Sequence, residues 1–210
     1  PEVTQLLAHS GWDEVVYAGS QSWTLECNWK VYVDNYLDGG YHVPFMHPSL
    51  SAQIDMDSYR TEIHERSSVQ SSAPARISMP DDPLSGARRI GDRAIYAWLY
   101  PNFMLNRYGP CLDSNHIVPL SPTRCRVDYD FYFDATGFAD DEARRSFIDS
   151  SIEQSAVTQR EDIAICESVQ IGLASSSYDR GRYAPQVEQG EHHFHCLLST
   201  DYAQALGSEQ

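Results

Sequence analysis

The sequence predicts one α+β domain over residues 1–210, because a group of short strands is followed by one long helix. Closely spaced β-like runs cover residues 94–100, 103–108, 112–120 and 124–133. The turns between them hold breakers such as Pro101-Asn102, and connections this short predict antiparallel neighbours. From Asp140 to Leu173, apolar residues then recur at three- and four-residue steps, which indicates a helix.

The other elements follow from shorter patterns. Alternating apolar and polar residues predict strands at 22–26 and 59–71. Helices are predicted at 28–37 and at 191–206. Stretches rich in Gly and Pro predict loops at 74–91 and 175–190. Residues 1–19 are interpreted as an incoming segment.

Acidic residues outnumber basic ones by 30 to 15, so the chain carries a net charge of −15 and has a pI near 4.7. This charge argues against nucleic acids and anionic membranes as partners, because both are themselves negative. It is compatible with a cationic substrate, although acidic surfaces often serve only solubility.

The 5 cysteines are scattered and form no Cys-x-x-Cys pair. An odd number without such pairing indicates reduced thiols. The sequence shows neither a bilayer-length apolar run nor an N-terminal signal core. We therefore expect a cytoplasmic protein.

The segment 28–47 gathers the residues most suited to chemistry. His42 and His47 flank Val-Pro-Phe-Met, where Pro44 and the upstream Gly39-Gly40 interrupt a helix. Two imidazoles at such a break, with Asp34, Asn35 and Asp38 just upstream, suit a metal that takes nitrogen and oxygen ligands. One such arrangement is the two-His, one-carboxylate triad of non-haem Fe(II) oxygenases. Two ordinary histidines remain the alternative, because His-x4-His also occurs by chance.

Asp162 is the predicted third ligand. At about 100° per residue, Asp162 falls close to the apolar stripe of the long helix, whereas Asp149, Glu153, Glu161 and Glu167 fall on the solvent side. A buried carboxylate needs a cation. That cation is either a metal or a buried Arg or Lys, and the pattern alone leaves both open.

A cluster of histidines and a set of aromatic residues are further candidates for binding. His192, His193 and His195 lie close together, and both a second metal site and a structural role are open for them. Aromatic faces attract quaternary ammonium groups, which makes a substrate-binding cage conceivable beside ordinary core packing. The predicted substrate-binding residues are Tyr96, Trp98, Phe103, Tyr178 and Phe194.

Several longer motifs together resemble the catalytic domain of the Rieske non-haem iron oxygenase alpha subunits, and within them the choline monooxygenase group. They are NYLDGGYHVP at 35–44, LYPNFM at 99–104 with NRYGP at 106–110, CESVQ at 166–170 and HHFHCLL at 192–198. The resemblance covers about residues 23–198. It implies a helix-grip fold of the START/Bet v 1 type, in which a curved antiparallel sheet surrounds a long helix. It also implies mononuclear Fe(II) held by His42, His47 and Asp162.

The resemblance further implies that a small organic substrate and O2 react at the iron. Electrons would come from a Rieske [2Fe-2S] cluster in a neighbouring subunit of a homotrimer, supplied by a ferredoxin or reductase. Neither Cys-x-His nor Cys-x-x-His, the Rieske ligand motifs, occurs in the chain, so we expect a catalytic domain without its Rieske domain. Phosphate-binding Gly-rich loops are also lacking, so NAD(P)H is expected only on a separate reductase.

One position departs from the family pattern. Many members carry an acidic residue three positions before the first His ligand, where it links the iron to the cluster; here that position is Gly39. The candidates for this role are Asp38 and Asp34, with Asn35 as a further catalytic candidate.

The expected activity is hydroxylation of a choline-like quaternary amine. Aromatic-ring hydroxylation by a dioxygenase and demethylation are the alternatives within the family. A non-catalytic ligand carrier with a helix-grip fold is the alternative from another class.

Overall fold

The computed structural model describes residues 12–75 and 90–207, so the N-terminal part of the predicted incoming segment and most of the predicted loop at 74–91 lie outside the described residues. Seven antiparallel strands form one sheet with the order β1-β7-β6-β5-β4-β3-β2. The strands are β1 Val15–Leu25, β2 Arg60–Ile63, β3 Ser67–Ser72, β4 Ala94–Leu99, β5 Phe103–Tyr108, β6 Cys111–Ser121 and β7 Arg124–Asp134.

Within the described residues, five α-helices accompany the sheet, with short 3-10 turns at Trp12–Glu14 and Met56–Ser58. The helices are α1 Trp29–Leu37, α2 Val43–Met46, α3 Pro48–Ser51, α4 Asp141–Leu173 and α5 Gln189–Gly207. The predicted strands at 94–133 and both long helices match these bounds to within one or two residues. None of the helices in the described residues is apolar over the length needed to traverse a bilayer.

Two predicted strands differ from the structure. The single strand predicted at 59–71 is a hairpin, in which β2 pairs with β3 and the amide of His64 donates to the carbonyl of Ser67. The strand predicted at 22–26 begins at Val15, within the predicted incoming segment. Its register against β7 shifts between Tyr17 and Gly19, and such a bulge puts the alternation of side chains out of phase.

The 33-residue helix α4 packs against the sheet between Phe147 and Cys166. Asp140 caps its first turn by accepting a hydrogen bond from the amide of Ala143, which satisfies one of the unpaired amides there. Near its start, Phe147 packs with Phe131 and Phe133 of β7. Near its end, Cys166 joins a second core cluster that includes residues of α1 and α5. Between these two contacts, the buried face of α4 carries Asp162.

Candidate metal centre

His42 and His47 both stand at helix ends, as their sequence context predicts. Helix α1 ends at Leu37, and the chain turns through Gly39 and Gly40, whose φ angles are 71° and 74°. Only glycine adopts this left-handed conformation readily. His42 is then the N-cap of α2. His47 lies between α2 and α3 and is 1% exposed.

The structure brings His42, His47 and Asp162 together. The two His Nε2 atoms are 3.0 Å apart, and Asp162 Oδ1 lies 3.1 Å from His47 Nε2 and 3.8 Å from His42 Nε2. Adjacent ligands of an octahedral metal, each about 2.1 Å from the ion, are separated by about 3.0 Å. The three atoms therefore fit one face of an octahedron around a first-row metal, and this donor set is the one that non-haem Fe(II) uses.

Carboxylates outside this triad orient both imidazoles. Asp38 Oδ2 lies 2.6 Å from His42 Nδ1, and Glu161 Oε2 lies 2.7 Å from His47 Nδ1. These contacts place a proton on each Nδ1 and leave each Nε2 lone pair for a metal. Asp38 also accepts hydrogen bonds from the backbone amides of Gly40 and His42, so it fixes the turn as well as the ring.

Asp162 is held by Asn35, whose side-chain amide donates to Oδ1 over 2.7 Å. Burial alone would lower the pKa of His47, but Asp162 and Glu161 together outweigh burial and raise that pKa. The site thus favours positive charge beside two carboxylates. A divalent cation would supply that charge in place of a proton.

Gly39 occupies the position at which many family members carry an acidic residue, and the backbone there leaves no room for a side chain. A Cβ atom at Gly39 would lie 2.1 Å from the carbonyl oxygen of Val187, which is far inside contact distance. No side chain fits there without movement of the backbone. In this chain Asp38 makes the carboxylate contact to His42 instead.

The second candidate for that position, Asp34, lies elsewhere. Its Oδ1 is 2.9 Å from His195 Nε2, and the Tyr183 hydroxyl contacts the other nitrogen of the same ring. Asp34, Glu191 and His195 form a second group whose side-chain atoms could reach one ion. His193 and His195 belong to helix α5, in agreement with the helix predicted at 191–206.

A small cavity opens next to the triad. It has a volume of about 120 Å³, below the roughly 300 Å³ at which drug-sized sites begin, so it fits a compact ligand. Five tyrosines line its wall: Tyr32, Tyr36, Tyr59, Tyr96 and Tyr129. The rings of Tyr59 and Tyr96 are stacked, with centroids 6.4 Å apart and planes 16° apart.

Of the five aromatic residues predicted to bind substrate, the structure brings only Tyr96 to this cavity. Trp98 and Phe194 are fully buried and pack against each other in the core, with centroids 5.5 Å apart. Phe103 packs against His116. Tyr178 is 48% exposed and lies in an open groove.

The sequence reasoning missed some residues of the site. Glu161 was placed on the solvent side of α4, yet its longer side chain reaches His47 while staying partly exposed. Gln159 accepts hydrogen bonds from the hydroxyls of Tyr32 and Tyr129, which line the cavity. Its position one helical turn before Asp162 was a signal that could have identified it.

The family model described as "Ring hydroxylating alpha subunit (catalytic domain)" matches residues 12–204. The chain is 48% identical over 182 residues to the chloroplastic choline monooxygenase of Arabidopsis thaliana, covering 87% of this chain and 41% of that protein. It is 30% identical over 183 residues to the carnitine monooxygenase oxygenase subunit of Escherichia coli (strain K12), covering 82% and 46%. The chain thus spans less than half the length of these curated relatives.

Solved structures show the same fold at lower identity. The quaternary ammonium Rieske monooxygenase CntA in complex with L-carnitine superposes with a TM-score of 0.71 at 22% identity, covering 95% of this chain and 53% of that one. Dicamba monooxygenase bound to dicamba superposes with a TM-score of 0.58 at 16% identity, covering 89% and 60%. The mixed sheet-and-helix architecture is therefore that of Rieske oxygenase catalytic domains. The match over residues 12–204 and the identity to the plant and bacterial monooxygenases show that the chain belongs to the ring-hydroxylating alpha subunit family, as a catalytic domain.

Proposed function

We propose that this chain is the catalytic domain of an oxygenase that uses mononuclear Fe(II) and O2 to hydroxylate a compact quaternary amine. The observation that carries the proposal is the convergence of His42, His47 and Asp162 in the wall of a small cavity that is also lined by tyrosines. Bound iron would supply O2 activation, which amino-acid side chains do not perform by themselves.

The protein's own residues prepare the site. Asp38 and Glu161 hold the two imidazoles with Nε2 directed inward, and Asn35 fixes the Asp162 carboxylate. Because these contacts already orient the three side chains, metal binding requires little rearrangement of them. All three candidate ligands border the cavity, so a substrate held there would lie next to a metal bound by them.

The choice of a quaternary amine rests on two kinds of support. Tyrosine faces attract ammonium groups through the ring quadrupole, and five tyrosines line the cavity. The relatives at 48% and 30% identity are named for choline and carnitine, and both compounds carry a trimethylammonium group. Monooxygenation is accordingly preferred to ring dioxygenation of an aromatic hydrocarbon.

The electron supply is part of the same proposal. Electrons would come from a Rieske [2Fe-2S] cluster, itself reduced through a reductase that uses NAD(P)H. A structural neighbour of this chain is described as revealing inter-subunit electron transfer. In a homotrimer of this kind, Asp38 is the proposed link between cluster and iron, because it already contacts His42.

We also propose that the chain forms a single catalytic domain of the helix-grip class, since in the described residues a seven-stranded sheet packs against the 33-residue helix α4. A reducing compartment is supported by the cysteines, all of which are free thiols, with Cys27 Sγ 3.9 Å from Cys125 Sγ. The cytoplasm stays a prediction, and the plant relatives are named chloroplastic.

A ligand carrier of similar fold is the alternative from another class. A carrier needs the cavity but has no use for two imidazoles and a carboxylate whose ligand atoms converge on one point. Nor does it need a carboxylate behind each imidazole, as Asp38 and Glu161 provide here.

The test is product formation by the Fe(II)-loaded chain with hydrogen peroxide, which brings oxygen already reduced. With choline as substrate, we expect a product one oxygen atom heavier, or its dehydrated aldehyde, by mass spectrometry. The His42→Ala variant should fold, lose its iron by elemental analysis and form no product. A chain that retains iron but oxygenates neither amines nor simple aromatics would contradict the proposal.

A further inference from the structure

A buried carboxylate lies beyond the tyrosine-lined cavity. Asp113 on β6 is 3% exposed and borders a second cavity of about 90 Å³. The two cavities share Tyr96, Asn106 and Tyr129 in their walls. Of these two cavities, the three candidate metal ligands border only the first and Asp113 only the second, so a ligand that spans both would pass Tyr96 and Tyr129 between them.

Three of the neighbours of Asp113 in the described residues donate hydrogen bonds to its carboxylate. The side-chain amides of Asn106 and Asn115 donate to Oδ1 over 2.6 Å and 3.0 Å, and the Tyr108 hydroxyl donates to Oδ2 over 2.7 Å. Hydrogen bonds from neutral donors favour the ionised form of a carboxylate. Asn106 in turn accepts from the hydroxyl of Tyr36 in the first cavity, so the arrangement links the two cavities.

The negative charge of Asp113 also acts on two tyrosines that line the first cavity, Tyr36 and Tyr129. Burial is the main cause that raises the pKa of Tyr36 and Tyr129 well above the usual value, and the negative charge of Asp113 adds to it at both residues. A field that opposes ionisation of these phenols equally favours a cation placed between their rings.

We propose that Asp113 is a specificity-determining residue that supplies the counter-charge for the substrate's ammonium group. This inference rests on the proposed function and adds an orientation to it. The ammonium group lies in the second cavity, between Tyr96, Tyr129 and Asp113. The opposite end of the substrate faces the metal ligands in the first cavity. The cavity then selects by charge as well as by shape, and the carbon that reacts is remote from the nitrogen.

The test compares choline with its neutral isostere 3,3-dimethyl-1-butanol by calorimetry, using the metal-loaded chain. Asp113→Asn removes the charge but retains a carbonyl for the two Asn amides and an amide for the Tyr108 oxygen, so the hydrogen bonds can persist. We expect choline affinity to fall at least about tenfold, equivalent to ~1.4 kcal/mol, with binding of the isostere unchanged. Tyr108→Phe is the matched control, because it removes one hydrogen bond to Asp113 and keeps the charge; it should retain the preference for choline.

The outcomes separate the two proposals. A wild-type chain without preference for choline refutes the proposed substrate class, and the role of Asp113 with it. A wild-type preference that survives in Asp113→Asn refutes the role of Asp113 alone. A second readout needs no variant: the peroxide reaction should oxidise the carbinol end of choline, and release of formaldehyde from an N-methyl group would overturn the proposed orientation.

Discussion

The Nδ1 atom of His47 lies 2.7 Å from Oε2 of Glu161, the residue directly before the third candidate metal ligand. Glu161 and Asp162 thus contact opposite nitrogens of the same imidazole, and one turn of α4 supplies both a ligand and the support of another.

This contact predicts the effect of Glu161→Ala. Without the carboxylate, the His47 ring loses its orientation and its added basicity, and outer partners of this kind change metal affinity by about 10- to 100-fold. We expect a loss of Fe(II) affinity in this range in a chelator competition, with the metal-free chain still folded. Asp149→Ala, an exposed change on the same helix, is the control. Equal affinity of both variants would contradict the role of Glu161.

A substitution at Gly39 tests whether an acidic side chain fits at this position. Gly39→Asp restores the position used in many relatives but drives Cβ towards the Val187 carbonyl oxygen, 2.1 Å away, at a φ of +71°. We expect a free energy of unfolding lower by more than about 2 kcal/mol in urea titrations. Gly137→Ala is the matched control, because Gly137 has a φ of +91° with nothing within 4 Å and should cost only about 1 kcal/mol. Similar losses in both variants would show that contact with Val187 is unimportant.

The tyrosine wall predicts a selective loss of cation binding. Tyr96→Leu removes a ring that lines both cavities, and a desolvated cation–π contact contributes up to about 2 kcal/mol. Choline affinity should therefore drop by several-fold to about 30-fold in calorimetry. Tyr178→Leu, in the open groove, should leave it unchanged. A loss in both variants, or in neither, would remove Tyr96 from the binding site.

Glu191 predicts a dependence of stability on pH. Burial, followed by the charges of Asp34 and Glu188, raises its pKa from 4.5 to about 8. The folded chain therefore binds more protons than the unfolded chain between these two values, so stability falls as pH rises through this range. His195, whose pKa is raised by its hydrogen bond to Asp34 despite burial, acts in the same direction as it loses its proton.

Thermal unfolding midpoints between pH 5 and pH 9 provide the measurement. The wild-type midpoint should fall as pH rises, and Glu191→Gln, which stays neutral, should give a flatter profile with a higher midpoint at pH 8. The exposed Glu142→Gln should follow the wild type. A Glu191→Gln profile as steep as that of the wild type would mean that Glu191 is already ionised at low pH.

The sequence predicts that the chain depends on an external electron donor. The 210 residues contain neither Cys-x-His nor Cys-x-x-His, so this chain by itself has no ligand set of the Rieske type. We expect no sustained oxygen consumption with NADH and a reductase, although peroxide supports product formation. Adding a Rieske protein should be necessary for turnover. Continuous NADH-driven product formation by the chain alone would reveal another path for electrons.

The sequence predicted best those features that depend on local geometry. The interrupted helix located His42 and His47, and the 100° step along α4 directed Asp162 inward. Glu161 was misplaced because an angular position describes Cβ and ignores the reach of a long side chain. Its carboxylate contacts His47 although a third of it remains exposed.

The alternation of side chains along a strand could not predict which of them border the cavity and which are buried in the core. Tyr96 and Trp98 are two residues apart on β4, so both side chains point to the same face of the sheet. Tyr96 borders the cavity, whereas Trp98 is covered by Phe194 of α5. Which of the two meets a ligand depends on where a helix from a distant part of the chain packs, and strand alternation carries no such information. The burial of Asp113 beside the second cavity could not be predicted for the same reason.

The continuity of α4 has an evolutionary consequence. Its cap at Asp140 and its contacts at Phe147 and Cys166 fix both ends of the helix against the sheet. Asp162 lies between them, so inserting or deleting one residue after Phe147 would rotate it by about 100° relative to its upstream neighbours. Exposed positions of this helix are free to drift in composition, but its length is not. Insertions and deletions among descendants of this chain should therefore accumulate in the turns of the sheet and spare residues 147–166.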